Sequence, residues 1–502
     1  MDESANDDAR IIADAMQNQA VINIGAIGHV ANGKTTITGY LTGIVTTKHS
    51  SEKTQNKTIR LGYANVKIWR CPNCNAYEAT GSDVFDSVCD CAIDVKRTLV
   101  THISIVDCPG HNMLISTMLN GSSVMDYTML VESATNKDCP APQTAEHFRA
   151  TKIAGIPNAM ILMNKIDIIT KRERIVKKIG ALCDYVRQET GIGPDDKISP
   201  IVPVSATFGT NLDVVCEYLS KLPVPDNRDI SGALEMLVIR SFDVNKPGTG
   251  NAKGGTDVRK ILGGVIGGTI MRGKLAVDDT IVILPGRYER LTPGQKKEYK
   301  TDADFRYAPI RCDVKSIQSE KNDMTMAIPG GLLAMQVTID PAHTRNDGIT
   351  GCIVTHYDSY VRDRDAYKVY DKIVIEIESF MIDEKRAKAK LPKNAIIKVN
   401  VNSNTIKAMV MKYSNKTREL RAFLVRPIPI TELNDYVTIM LDNSQTKQTK
   451  QEEDDDLGTS VLGAGKITGG VDAHYVADDT DDTDDADDTD STDSGSTANS
   501  VA

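Results

Sequence analysis

Apolar residues in the first part of the chain fall in short runs separated by longer amphipathic stretches. Val21–Ile27, Leu99–Val106, Tyr127–Val131, Ala159–Met163 and Ile201–Val204 each have strand length, and the intervals between them have helical length. Such alternation predicts a mainly parallel sheet with helices on both faces. At Leu222-Pro223-Val224-Pro225-Asp226 the pattern stops, because two prolines bar a helix from continuing, and a linker is expected. From Leu237 to Asp340 the runs become short and alternating, as in Leu237–Arg240 and Thr280–Leu284. Glycine turns separate them, among them Gly263-Gly264, Pro285-Gly286 and Pro329-Gly330-Gly331. This texture predicts a small closed antiparallel barrel, and a second set from Gly351 to Leu441 predicts another. The expected organisation is an extension over 1–20, an α/β domain over 21–225, barrels over 235–344 and 345–445, and a disordered acidic tail over 451–502.

Charge sharpens the last boundary. The 502 residues carry a net −9, but residues 451–502 hold 16 acidic side chains and one basic one, Lys466. The remaining 58 basic and 52 acidic residues make a +6 body carrying a −15 tail. That tail is rich in Asp, Thr and Ser and is expected to stay disordered, acting as a solubilising segment or engaging a basic partner. A hydrophobic share of 40% with 25% charged residues excludes a wholly disordered or collagen-like chain. No run approaches the roughly 20 apolar residues of a spanning helix, and Met1–Arg10 is acidic with no apolar signal segment. Ten cysteines are too sparse for a disulfide scaffold. A cytoplasmic protein with no membrane partner is expected.

Gly28-His29-Val30-Ala31-Asn32-Gly33-Lys34-Thr35 fits G-x-x-x-x-G-K-[ST] between a predicted strand and a predicted helix from Thr36. Its glycines let the backbone wrap so that N–H groups face phosphate oxygens, with Gly28, Ala31, Asn32, Gly33, Lys34, Thr35 and Thr36 as the nucleotide-binding residues. Lys34 reaches the β- and γ-phosphates and the Thr35 hydroxyl binds Mg²⁺. Asp107-Cys108-Pro109-Gly110 follows the strand Leu99–Val106, where Asp107 holds Mg²⁺ through water and the Gly110 N–H meets the γ-phosphate. Asn164-Lys165-Ile166-Asp167 ends the strand Ala159–Met163, and Asp167 accepts two donors that guanine offers and adenine does not. Ser205-Ala206 follows Ile201–Val204 and closes over the base. Four motifs in this order at strand ends predict a P-loop GTPase domain that binds GTP and GDP. Gly248-Thr249-Gly250 with Gly254-Gly255 loosely fits a dinucleotide fingerprint, but it lies in the barrel region with no helix after it and reads as a loop.

Asp107-Cys108-Pro109-Gly110-His111 is typical of translational GTPases. Three further segments narrow the resemblance: Leu61-Gly62-Tyr63-Ala64-Asn65-Val66-Lys67-Ile68, Cys139-Pro140-Ala141-Pro142-Gln143-Thr144-Ala145-Glu146-His147, and Ile239-Arg240-Ser241-Phe242-Asp243-Val244-Asn245-Lys246-Pro247-Gly248. Together they resemble the gamma subunit of eukaryotic and archaeal translation initiation factor 2, from about Asn23 to Val354 and more weakly to Asp442. The resemblance implies a heterotrimer with alpha and beta subunits that brings methionyl initiator tRNA to the small ribosomal subunit, served by GTPase-activating and exchange factors. It implies that Thr58 binds Mg²⁺ and senses the γ-phosphate, and that His111 orients the attacking water. Tyr63, just after this switch, has two readings: an exposed ring stacking on the tRNA's terminal base, or a buried tyrosine with a bonded hydroxyl.

Cys71-Pro72-Asn73-Cys74 and Cys89-Asp90-Cys91 suit a tetrahedral Zn²⁺ site spanning about 69–93, where the family often carries a knuckle. The second pair is shortened to C-x-C, which strains a one-metal chelate, so idle thiols are the competing reading. Asn32 stands where the family usually has histidine. The basic stretch Arg287–Arg311 is either a tRNA contact or a solvated loop, and the final barrel strand expected near Leu441 is replaced by the acidic tail. The altered P-loop and barrel end motivate one alternative to the initiator carrier, a hydrolysis-impaired scaffold that binds initiation-factor subunits or ribosomes; within the class, a carrier of a specialised elongator tRNA is another. The Leu61–Ile68 and Ile239–Gly248 segments argue against the latter.

Overall fold

The computed structural model describes residues 10–44, 46, 61–110, 124–191, 193, 197–225, 228–245, 251–252, 255–256, 261–299, 303–381, 384–433, 435–441 and 461–475. Ile22–Ile27 is buried throughout, as a strand covered on both faces must be. It pairs in parallel with Thr98–Asp107 and Tyr127–Ser133. Asn158–Asn164 and Ile201–Pro203 extend the sheet in parallel beyond Tyr127–Ser133. The opposite margin is antiparallel: Gly62–Arg70 pairs with Thr98–Asp107, and Tyr77–Gly81 lies outermost. The helix Lys34–Thr42 starts from Gly33 at φ 96° and stops at Gly43, whose left-handed backbone returns its N–H to Gly39 O. Arg172–Thr190 ends in the same way at Gly191.

Two closed six-strand barrels follow. In the first, Thr280–Arg290, Ile353–His356, Glu235–Phe242, Val265–Arg272, Leu333–Val337 and Phe305–Ser319 run in that order, and the first and last of these pair to close it. Ile353–His356 hydrogen-bonds to both Glu235–Phe242 and Thr280–Arg290. The boundary expected at 344/345 therefore falls too early. Arg287–Arg311 is no loop either. Arg287–Arg290 pairs with Phe305–Ala308 as an extension of the barrel hairpin, and the helix Pro293–Glu298 sits at its tip behind a Thr292–Gln295 capping box. Arg306 is 2.7 Å from Glu289, and Lys296 is 2.5 Å from Asp304, so part of that basic charge is met internally.

The second barrel runs Lys368–Phe380, Glu419–Ile430, Asn404–Tyr413, Ile396–Val401, Tyr436–Leu441 and Val461–Asp472. Its closing strand, Val461–Asp472, lies inside the segment expected to be disordered. The acidic block ahead of it masks the apolar positions Val461, Leu462, Ala464 and Ile467, all buried; Leu462 and Ile467 fill the barrel core, and Val461 packs on the α/β domain. Gly463 and Gly465 face Ser379 O and Glu376 O so closely that a Cβ at either would collide with the neighbouring backbone. Residues 476–502 lie outside the described residues.

The described part of the N-terminal extension, residues 10–20, opens in a helix and acts as a strap. Ile11, Ile12, Ala15 and Met16 pack on the α/β core. The Gln19 amide then donates to Ile328 O (2.7 Å) and Gly330 O (2.8 Å) and accepts from Ile328 N (3.1 Å), joining the first domain to the first barrel. Asn65 N donates to Glu320 Oε1 (2.9 Å), and the Arg228–Asp126 ion pair (2.6 Å) adds to the same junction.

Candidate functional site

The P-loop emerges from Ile22–Ile27 and turns through three left-handed residues, Gly28 (φ 135°), Ala31 (φ 63°) and Gly33 (φ 96°). A Cβ at Gly28 would strike Val131 O, and one at Gly33 would strike the Asn164 amide, so both positions require glycine. Lys34 is buried, and its Nζ donates to Gly28 O (2.9 Å) and His29 O (3.0 Å) across the loop it closes. Burial pushes its pKa below the ordinary lysine value, and the nearby Asp107 carboxylate opposes that shift. Asp107 ends its strand fully buried, and its Oδ2 accepts from Thr35 Oγ1 (2.7 Å) and Thr46 Oγ1 (2.7 Å). A carboxylate and a hydroxyl at this spacing form a hard oxygen donor set that fits Mg²⁺. Gly110 lies against Lys34 Nζ, Gly28 O and Val30 N with no room for a Cβ.

At the base-reading end, Lys165 adopts φ 63° and swings Ile166–Ile168 into a 3₁₀ turn that leaves Asp167 exposed. Asn164 is buried. It donates to Asn32 O (2.9 Å) and accepts from Ala206 N (3.1 Å), so one amide ties the P-loop to the Ser205-Ala206 loop. Thr35 and Thr36 lie in the first turn of the helix Lys34–Thr42, which starts two residues earlier than expected. The sequence-predicted nucleotide residues thus converge at the C-terminal ends of four strands. Thr58 and His111 lie outside the described residues.

A layer behind the P-loop was missed in the sequence. From the helix Pro142–Ile153, His147 Nδ1 accepts from Gly28 N (3.2 Å) and Thr144 Oγ1 accepts from His29 N (3.3 Å). Burial pushes His147 down to about 3, so the ring is neutral at Nδ1 and free to accept. Glu132 and Asn136 complete the layer around Asn32. Thr144 and His147 belong to the segment Cys139–His147 that carries the resemblance, but nothing local in it says that they face the P-loop.

The four knuckle cysteines also converge. Cys71 Sγ is 3.5 Å from Cys91 Sγ, Cys74 Sγ is 3.6 Å from Cys89 Sγ, and all four sulfurs lie within 4.8 Å of one another. A Zn–S bond of about 2.3 Å gives a tetrahedral edge of about 3.8 Å. The set therefore fits zinc, and the C-x-C spacing does not splay it. A tight turn at Asn75 (φ 58°) presents the first pair, and the short ladder Val88–Cys89 with Val95–Lys96 presents the second. Backbone donation from Cys74 pulls the Cys71 thiol down to about 6, while hydrogen bonding with Cys71 pushes Cys91 up to about 12. Purified chain is expected to release about one Zn²⁺ per molecule on mercurial titration, with loss of the metal changing the emission of Trp69, the single tryptophan, two residues from Cys71. Cys91→Ser should lower that stoichiometry; a metal-free parent with unaltered emission would leave the thiols idle.

Tyr63 fits neither sequence reading. Its ring is half-buried and packs on Val124, Leu237 and Ile239, and its buried hydroxyl has no hydrogen-bond partner among the described residues. Burial accordingly raises its pKa. Beside it, a cavity of about 630 Å³ opens where the three domains meet, lined by Leu61, Ile239, Arg240, Tyr288, Lys407 and Arg426, among others.

A strand–P-loop–helix cradle, an Asp-Cys-Pro-Gly loop over it and an Asn-Lys-x-Asp turn beside it define a GTPase of the translational class. Residues 19–225 match the family described as "Elongation factor Tu GTP binding domain". The similarity then runs through the barrels. The chain is 36% identical over 432 residues to translation initiation factor 2 subunit gamma of Sulfurisphaera tokodaii, covering 84% of this chain and 95% of that one. It is 35% identical over 441 residues to the eukaryotic subunit gamma of Schizosaccharomyces pombe (84% and 91% covered). It is 36% identical over 406 residues to eukaryotic translation initiation factor 2 subunit 3 of Drosophila melanogaster (78% and 79%). The chain belongs to the gamma-subunit family of translation initiation factor 2, and is a GTPase of translation initiation that uses GTP, GDP and Mg²⁺. Among solved structures it is similar to a bacterial selenocysteine-specific elongation factor (TM-score 0.60, 19% identity, 89% of this chain and 58% of that one). It is also similar to SelB of Methanococcus maripaludis with a GTP analogue (TM-score 0.59, 19%, 91% and 80%). At that identity the likeness is one of fold. Among the described residues no helix is long and apolar enough to cross a membrane.

Proposed function

We propose that this chain, joined to alpha and beta subunits, binds methionyl initiator tRNA in its GTP state, delivers it to the small ribosomal subunit in the cytoplasm and releases it after hydrolysis. The observation that carries the reading is the three-domain cavity. Leu61, directly after the switch segment, lines it with Arg240 of the first barrel, which pairs there with Asp347 (2.9 Å), and with Lys407 and Arg426 of the second, so two further cations that suit a phosphate backbone adjoin the nucleotide-sensing part of the molecule. Lys34 and the P-loop amides, including those of Ala31 and Asn32, hold the phosphates, and Asp167 reads guanine. Thr35, Thr58 and Asp107 hold Mg²⁺, which when bound neutralises phosphate charge. His111 orients water, with ribosome-side activation supplying the rest of the rate. Zn²⁺ on Cys71, Cys74, Cys89 and Cys91 is structural. In a filter-binding assay, aminoacylated initiator tRNA should be retained at least about tenfold better with a GTP analogue than with GDP, and better than elongator methionine tRNA. Absent retention, or equal retention of both tRNAs, would overturn the reading.

A further inference from the structure

We propose that Glu132 is a positioning residue of the nucleotide site: its buried carboxylate holds the Asn32 side chain and so sets how long guanine nucleotide stays on the P-loop. Glu132 lies on Tyr127–Ser133, fully buried directly behind the P-loop. A carboxylate there is tolerated only if donors surround it. They do: Oε1 accepts from Asn136 Nδ2 (2.6 Å) and Ala141 N (3.3 Å), and Oε2 faces Asn32 Nδ2 (3.4 Å). Among the described residues each of these partners is a neutral donor.

Asn32 is fixed in one orientation by this arrangement. Its Nδ2 also donates to Val131 O (2.8 Å) and Thr144 Oγ1 (3.3 Å), and its Oδ1 accepts from Asn136 Nδ2 (3.2 Å). Asn136 therefore bridges the carboxylate and the amide, closing a ring of three side chains. The ring acts on both halves of the nucleotide site. Asn32 follows Ala31, a non-glycine residue held left-handed, so anchoring Asn32 keeps that turn and the N–H vectors around it. The Asn32 carbonyl in turn accepts from Asn164, which orients the base loop through Ala206 N.

Glu132→Gln keeps the shape but puts an amide NH₂ among groups that only donate. Stopped-flow release of N-methylanthraniloyl-GDP from the purified chain should speed up about tenfold or more, as expected for loss of a charge-assisted buried hydrogen bond. Asn32→Ala should do the same. Adding Glu132→Gln to Asn32→Ala should change release by less than about twofold, because the effect passes through Asn32. Glu132→Leu, which removes the buried charge altogether, guards against misfolding of the Gln variant and should also release faster. Release at the parent rate in either Glu132 variant, or Glu132 and Asn32 effects that multiply as for independent sites, would overturn the proposal; a merely structural carboxylate would shift the melting temperature without that coupling.

Discussion

Replacing Asp167 by alanine is expected to weaken GDP and GTP binding by on the order of 100-fold and to erase the preference for guanine over adenine. A two-donor contact to one carboxylate contributes about 1–3 kcal/mol of base discrimination, and every 1.4 kcal/mol is about tenfold. Asp167 sits exposed in its 3₁₀ turn, and that turn is held by the left-handed Lys165 and by Asn164 beneath it rather than by Asp167 itself. The substitution should therefore leave the fold and the P-loop unchanged. Competition of GDP and ADP against a fluorescent guanine nucleotide measures both quantities. Unchanged affinity with retained guanine preference would remove Asp167 from base recognition.

A stop after Leu441 is expected to unfold the second barrel. Val461, Leu462 and Ala464 are almost fully buried, and their strand supplies hydrogen bonds to both Lys368–Phe380 and Tyr436–Leu441. Removing it opens the barrel, exposes two sheet edges, and takes Leu462 and Ile467 out of the barrel core and Val461 off the α/β domain, each large side chain costing about 2–5 kcal/mol. The truncated chain should lose protease resistance from about Lys368 onward while residues 19–225 persist as a resistant fragment. A stop after Tyr475 should leave the melting midpoint within about 2 °C of the parent. If the shorter chain melts like the parent, the closing strand is dispensable.

The two truncations mark where reading the sequence succeeded and where it did not. Ile22–Ile27 and Thr98–Asp107 are legible because strands buried on both faces are dense in apolar residues over strand length, despite Asn23, His102 and Ser104, and the nucleotide motifs are legible because each follows such a run. Val461–Asp472 has no such run. Four of its twelve residues are glycine, the alternation is carried by small side chains, and the surrounding acids dominate any compositional window. Ile353–His356 was assigned to the wrong barrel because strand order cannot be inferred from spacing when a barrel's last strand returns past a helix. Glu132 and Asn136 carry no motif, and His147 lies in a segment that marks the family without revealing what the ring does. They matter because the sheet and the helix Pro142–Ile153 bring them behind the P-loop, a tertiary fact with no local signature.

The closing strand also sets a timetable. Synthesis runs from the N-terminus, so five of six barrel strands leave the ribosome before the sixth emerges. Roughly 30 residues separate Leu441 from Asp472, which at 5–20 residues per second is a delay of about 2–6 s. Throughout it, Lys368–Phe380 and Tyr436–Leu441 each present an unpaired edge, far longer than the microseconds a hairpin needs to form. The acidic residues Glu452 to Asp456 are made within that interval, just ahead of the strand. Like charge on every nascent copy is a deterrent to edge-to-edge pairing between neighbouring chains, which gives the segment a use during biogenesis whatever it does in the finished protein.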